Sequence, residues 1–513
     1  MKRRDFLGLS VAAGTVVISE PAGATHTLQH RILSLNQFIT LHFCSGQPFR
    51  RQNAHALLNS NPNHPIIASY STGVAAMKAL PNTNSNNWDY QANIHGFMAG
   101  TFTGTQPSIF TSCQHFNDYF LPWHRMYLFF FEKIVRQHSG NPSFALPYWN
   151  YESAAQATLP VAFRQGGSTL YDSSRNAALN AGGILSASAR TSVAALAQPN
   201  FAFSSSLENT PHGAVHIAIG GHMGNFSGAG RDPIFWLHHC NIDRLWEKWL
   251  SQGGGRTNPI ANTTWMNKTS TFADVNGSFV TMRNSDVLST VSQLNYQYDD
   301  PSKCVPLIIA TQFARNAKIQ NVRVVNTMNA NAEGQNIAQK IKPDLSLDRV
   351  KVTSQFSIDN ERLTKLFSAD ALPSLIANKK QVLLVFSNIS SQLPVGGFYE
   401  IYLDAPDGEK LNIESPHYVG NLTTFGSDQL SRDTMNAAGK HEAMEGLNVA
   451  IDITERLKDL SARSRIKKNA FEITLVRAGV EDEKGTVAAF DSKSQLEIGS
   501  IDVQIIGANG IEK

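Results

Sequence analysis

A chain of 513 residues is longer than one ordinary domain and predicts two. With 42% hydrophobic and 17% charged residues, the composition is that of a soluble globular protein rather than a disordered or fibrous one. A formal net charge of +3 gives no basis for binding nucleic acid, and no stretch beyond the N-terminus is long and apolar enough to span a bilayer.

Residues 1–24 read as a leader. Arg3 and Arg4 precede Phe6 and Leu7, a weakly apolar run follows to Ile18, and Ala22-Gly23-Ala24 offers a small-residue cleavage site. The twin arginine is the Tat pattern, so the expectation is export of a folded, metal-loaded chain by the Tat machinery, to the periplasm or the exterior. Four cysteines, Cys44, Cys113, Cys240 and Cys304, are too few for a disulfide scaffold, and their pairing is not legible.

Apolar residues at helical spacing predict amphipathic helices over 28–43 and 66–80. Trp88 then leads to His95, and a Gly/Thr/Pro-rich loop runs through Pro107. Pro122 starts a helix with His124 in its first turn, and Gly140 ends it. On one continuous helix His115 and His124 would face opposite ways; the break at Leu121-Pro122 lets both turn toward one centre. His95, His115 and His124 thus form one candidate group. Residues 144–150 are extended and apolar, and 153–206 form a long Ala/Ser/Gly-rich excursion without evident function.

Pro211 opens a short helix that Gly220-Gly221 closes, with His212 and His216 four apart on one face. Asp232 caps a second helix, Pro233 opens it and Gly253 stops it. It carries His238 and His239 side by side, on different stripes. Asp243, one turn after His239, hints at a carboxylate that orients that ring, but spacing alone leaves the choice between the two histidines open. After residue 300 a polar Asn/Gln/Lys-rich linker spans 301–342. Beyond it the period changes to two. Strands are predicted at 350–353, 381–386, 398–403, 447–453, 471–476 and 501–506, a β-sandwich or barrel-like domain over 343–513 without clustered ligands.

The fold class expected is therefore α+β multidomain: a helical catalytic domain over 25–300, then the β-rich domain. Two groups of three histidines without cysteine or carboxylate point to copper, zinc or iron. Structural zinc recruits cysteine, a mononuclear catalytic site needs three ligands, and diiron bundles need Glu-x-x-His. Two copper ions acting on O2 fit best.

Asp232-Pro-Ile-Phe-Trp-Leu-His-His-Cys-Asn-Ile-Asp-Arg-Leu-Trp246 and Phe120-Leu-Pro-Trp-His-Arg125 resemble the two signatures of the type-3 copper proteins: tyrosinases, catechol oxidases (polyphenol oxidases) and molluscan-type hemocyanins. The match covers roughly 66–300. The resemblance makes His95, His115 and His124 ligands of the first copper, and His212, His216 and His239 ligands of the second. It leaves His238 and Asp243 in supporting positions. The Tyr296-Gln-Tyr298 motif and segments of the C-terminal domain, such as 417–421, are similar to the plant polyphenol oxidases and their shielding domain. Those enzymes carry a thioether cysteine shortly after the first histidine, which is absent from 96–101. Cys113 instead matches the Cys-x-His arrangement of fungal tyrosinases, so a Cys113–His115 thioether is expected. The resemblance also makes Phe226 a gate over the first copper and Glu208 a carboxylate that orients a water. Gly213 stands where family members active on monophenols often have Asn, which favours o-diphenols.

The reading is a catechol oxidase with small phenolic substrates, made latent by its C-terminal domain and matured by a protease cutting the linker. The rivals are a full tyrosinase or o-aminophenol oxidase, and a hemocyanin-like O2 carrier.

Overall fold

The computed structural model describes residues 8–12, 15–19, 48–299, 336–337, 349–354, 381–391, 397–426, 434–435, 441–442, 446–462, 471–482, 486–487 and 496–506. The helix expected at 28–43, Cys44, Cys304 and most of the expected linker lie outside these residues. Gly8–Ala12 and Thr15–Ser19 form an antiparallel hairpin belonging to a separate N-terminal unit.

From residue 48 the chain builds a helical layer around buried aromatic side chains. Pro65–Lys78 is helical because Pro65 occupies its first turn and the His64 ring accepts from the Ile66 amide. It buries Ile67, Tyr70, Val74 and Met77, every third or fourth residue. Gly73 lets it approach the Phe120–Ser139 helix: a Cβ there would lie 2.8 Å from Val135 Cγ1. Phe120–Ser139 ends at Gly140 in the left-handed conformation (φ 68°). Ile234–Ser251 starts where Asp232 Oδ1 accepts from the Ile234 amide. Trp236 of this helix stacks on Phe131, with ring centroids 3.3 Å apart. Tyr296–Tyr298 closes the layer by pairing in parallel with Phe49–Arg51.

The C-terminal strands form two sheets. One has the order Leu447–Asp452, Gln381–Ser391, Ser500–Ile506, Asn336–Ile337, with Leu496–Glu497 also paired to Gln381–Ser391. The other has the order Tyr418–Leu422, Phe398–Leu403, Phe471–Ala478, Arg349–Ser354. Their facing side chains, among them Leu384, Phe386, Ile401, Leu403, Ile473 and Ile501, share one core. The sheets are open, so the domain is a sandwich and not a barrel. Asn336–Ile337 falls within the predicted linker, yet it pairs with Ser500–Ile506 and so belongs to the sandwich.

Alternation lets the second sheet serve two cores. Tyr399, Ile401 and Leu403 face the sandwich interior, while Phe398 joins the core of the helical layer together with Phe425, Ala478 and Val480. The excursion over 153–206 is the docking surface. Ile184–Leu185 pairs with Val480–Glu481, and the Asn421 amide donates to Ser188 O at 2.9 Å.

Candidate metal centre

Six histidines from four segments converge. His95 ends the Trp88–His95 helix, and His115 lies on a loop that turns at Phe116 (φ 58°). His124 occupies the first turn of Phe120–Ser139. His212 precedes and His216 lies within the Ala214–Ile219 helix, and His239 belongs to Ile234–Ser251. The chain kinks at Thr210 just before His212. All six rings are buried or nearly so.

Hydrogen bonds set the tautomers of five rings. His95 Nδ1 donates to Phe226 O at 3.0 Å, and His216 Nδ1 to Met223 O at 2.8 Å. His124 and His212 donate to the carbonyls one turn earlier, Phe120 O at 2.8 Å and Glu208 O at 3.0 Å. His115 Nδ1 donates to Glu208 Oε1 at 2.9 Å. Each Nε2 is left with a lone pair and no proton. His95 Nε2 then faces His115 Nε2 at 3.1 Å, and His216 Nε2 faces His239 Nε2 at 3.2 Å. Between His95 and His115, whose protons are both fixed on Nδ1, lone pairs at that distance repel unless a cation lies between them. The spacing is an edge of a coordination shell with metal–nitrogen bonds of about 2.0–2.1 Å. His212 Nε2 is buried without a partner in the same cluster. The donor set therefore fits a pair of metal ions with imidazole ligands.

Electrostatics agree. Burial, reinforced by neighbouring imidazoles, holds His115, His124, His212, His216 and His239 well below the ordinary histidine range, and burial brings His95 to about 4. Neutral rings are the ligand form. Burial also raises the Glu208 carboxyl to about 8.

Several expectations change. Asp243 does not touch His239. Its carboxylate binds Arg125 Nε at 2.6 Å, Arg51 Nη1 at 3.4 Å, Tyr296 OH at 2.5 Å and Tyr298 OH at 2.6 Å. The i, i+4 spacing on the helix allowed the pairing, but two buried guanidinium groups offer stronger partners. Asp243 is the anchor that ties the tyrosine motif to the helical layer. Glu208 spends Oε1 on His115 and on the Phe116 amide at 2.8 Å, so it orients the His115 ring directly. His238 donates to or accepts from Tyr151 OH at 3.0 Å, and one of its ring nitrogens lies within 4.8 Å of the donors of His212, His216 and His239. Phe226 does lie over the first group, its ring 4.8 Å from that of His95 and 5.0 Å from that of His115. Cys113 Sγ is within 4.8 Å of the donors of His95, His115 and His124, 3.8 Å from His124 Nε2, and the thiol is free. Cys240 is a free, buried thiol and takes no part in a disulfide.

Sequence reading missed Phe425. This residue of the C-terminal domain is 2% exposed and stacks on His216, with centroids 4.1 Å apart and planes at 21°. It also lies 5.4 Å from His212, 5.8 Å from His115 and 6.1 Å from Phe226. It sits on a loop outside the strand alternation, so periodicity gave no signal.

The family model for the common central domain of tyrosinase matches residues 85–183 and 162–252. A tyrosinase from Hahella sp. (strain CCB-MM4) is 30% identical over 490 residues, covering 84% of this chain and 96% of that one. The chain belongs to the tyrosinase and polyphenol oxidase family. A latent-form chloroplastic polyphenol oxidase of Prunus armeniaca is 32% identical over 298 residues, 49% of each chain. The structure of latent apple tyrosinase superposes with a TM-score of 0.55 at 22% identity, covering 90% of this chain and 97% of that one, which shows the shared fold of helical and β-rich domains. The C-terminal domain matches a domain of unknown function over residues 338–489. Membership makes the chain a type-3 copper oxidoreductase, a family that implies two copper ions and O2.

Proposed function

We propose that the protein oxidises o-diphenols to o-quinones, two diphenols per O2 with two waters formed, and that its C-terminal domain keeps it latent. The observation that carries this reading is the Phe425 ring, stacked on His216 in the space a phenol ring would need. The copper pair supplies the electron transfer to O2 when bound. His95, His115 and His124 would hold one ion, and His212, His216 and His239 the other; His239 is favoured over His238 because its Nε2 lies 3.2 Å from His216 Nε2 and because the family resemblance makes the second histidine of the pair the ligand. Glu208 holds the His115 ring. Phe226 offers an apolar wall to an incoming ring. Gly213 presents no amide side chain beside His212, which supports diphenol oxidation over monophenol hydroxylation.

Cys113 is proposed to form a thioether with His115, supported by its place among the first three donors. Intact mass after copper loading reads it as the loss of two hydrogens, and an unchanged mass refutes it. The twin-arginine leader supports Tat export. O2 uptake by the copper-loaded chain, before and after cleavage in 301–335, tests the function: catechol uptake that rises on cleavage supports it. Uptake with the matching monophenol as well, after a lag, makes the protein a tyrosinase. Reversible O2 binding without turnover makes it a carrier.

A further inference from the structure

Phe425 reaches the histidines on a peptide, and the site grips that peptide as well as the ring. The Asn209 side chain, beside Glu208 and three residues before His212, uses both ends of its amide on the loop. Its Nδ2 donates to the main-chain carbonyl of Asn421 at 3.2 Å, and its Oδ1 accepts from Thr423 Oγ1 at 2.9 Å. Neither bond involves the ring. The first reads main chain, which any peptide offers.

Two glycines let the segment and the site approach closely, one on each side. A Cβ on Gly213 would lie 3.1 Å from Thr423 Oγ1, and a Cβ on Gly426 would lie 2.8 Å from the Phe116 ring, where φ is +85°. A small catechol requires none of these features. An inhibitory segment that fills a catalytic site through groups the site supplies is a template for what the site accepts.

We propose that the preferred substrate is an o-diphenol borne on a peptide, a 3,4-dihydroxyphenylalanine residue in a polypeptide, and that Asn209 is the specificity-determining residue that holds its main chain. This rests on the diphenol oxidase reading above. In the open enzyme the residue's ring takes the place of Phe425 against His216. Its main chain takes the place of 421–425 across Asn209 and Gly213. Each ring loses two electrons and two protons to become the o-quinone. Two rings together deliver four electrons and four protons to one O2, giving two waters.

The test uses the full-length, copper-loaded chain carrying Asn421→Ala, Thr423→Ala and Phe425→Ala. These changes remove the ring and the side-chain bonds that hold residues 421–425 against the site, so that the segment, whose Asn421 carbonyl remains, can give way to a peptide, and the pairing of Ile184–Leu185 with Val480–Glu481 keeps the two domains joined. The substrates are 4-methylcatechol and the capped hexapeptide Asn-Leu-Thr-Thr-X-Gly, X being 3,4-dihydroxyphenylalanine. The expected kcat/KM is at least tenfold higher for the peptide, with the difference in KM, and adding Asn209→Ala lowers the peptide-to-catechol ratio at least fivefold. A structural defect would lower both substrates alike and leave the ratio unchanged. A second readout needs no turnover. The metal-free chain with the same loop substitutions is expected to bind Asn-Leu-Thr-Thr-Phe-Gly in calorimetry, and Asn209→Ala to weaken that binding at least fivefold.

A ratio near one, or a ratio and a peptide affinity that Asn209→Ala leaves unchanged, overturns the proposal. Should the triple variant fail to fold, Phe425→Ala alone carries the same comparison. If neither diphenol is oxidised, the oxidase reading itself fails, and the calorimetric result still decides whether Asn209 holds a peptide.

Discussion

Replacing Phe425 with alanine in the full-length chain tests the shield at its tip. The ring is buried against His216, His212 and His115. Burying a phenylalanine side chain stabilises by about 1.5–3 kcal/mol. Its ring contacts add about 0.5–1.5 kcal/mol. Losing them weakens docking by roughly 2–4.5 kcal/mol, on the order of 30- to 1,600-fold in the closed-to-open ratio at about 1.4 kcal/mol per decade. The paired strands Ile184–Leu185 and Val480–Glu481 still hold the domains together, so the variant is expected to remain folded and latent in part. The assay is the initial rate of catechol-dependent O2 uptake by the intact copper-loaded variant and the intact parent chain, with copper content matched. A rise of at least tenfold is expected. A variant as silent as the parent, when the parent becomes active on cleavage, would refute the claim that this ring occludes the site.

Three further outcomes follow from the same contacts. Glu208→Leu removes the acceptor that orients His115 and is expected to weaken copper at the first site by roughly 10- to 100-fold while the second retains its ion; metal per chain after dialysis against a graded chelator measures this. Asp243→Asn leaves Arg51 and Arg125 without their shared carboxylate and should cost about 3–5 kcal/mol in denaturant unfolding, so a loss below about 1 kcal/mol would show the network to be dispensable. Glu400 is partly buried at the domain contact, hydrogen-bonded to Ser188 and Tyr402 and near Glu481, and burial raises its carboxyl above the ordinary value. A raised acid favours docking while it stays protonated, and that contribution is lost as pH rises through the undocked value of about 4.3 toward the docked one. Separation of the two halves of the cleaved chain should therefore become easier from acid toward neutral pH, and Glu400→Gln should flatten the dependence. Burial raises the Glu481 carboxyl as well, against the pull of Arg190 and Lys410, so a residual dependence of the same sign is expected in Glu400→Gln.

Local features were legible where one segment suffices to determine them. Pro65 and His64 start a helix, Gly140 stops one, and the alternation in 398–403 gives a strand with two faces. The six histidines were legible too, since four-residue spacing and the breaks at Pro122 and Pro211 aim their rings, and the family resemblance supplied their grouping. Helical spacing misread Asp243 because it describes one helix face and says nothing of Arg51, 192 residues away in sequence. It left His238 and His239 equivalent for the same reason: their partners, Tyr151 for His238 and His216 for His239, come from elsewhere in the chain.

By itself, then, the sequence determined a helical domain with an imidazole-rich centre followed by a two-period β domain, because helix stops, ring spacing and strand alternation are properties of short segments. Tertiary structure alone decided what covers that centre. Phe425, Asn421 and Thr423 reach it through contacts more than 200 residues long, such as the Asn209–Thr423 hydrogen bond, and the excursion over 153–206 becomes a docking surface only when Val480–Glu481 pairs with it. No periodicity encodes such contacts, because they depend on the shape of two finished surfaces meeting.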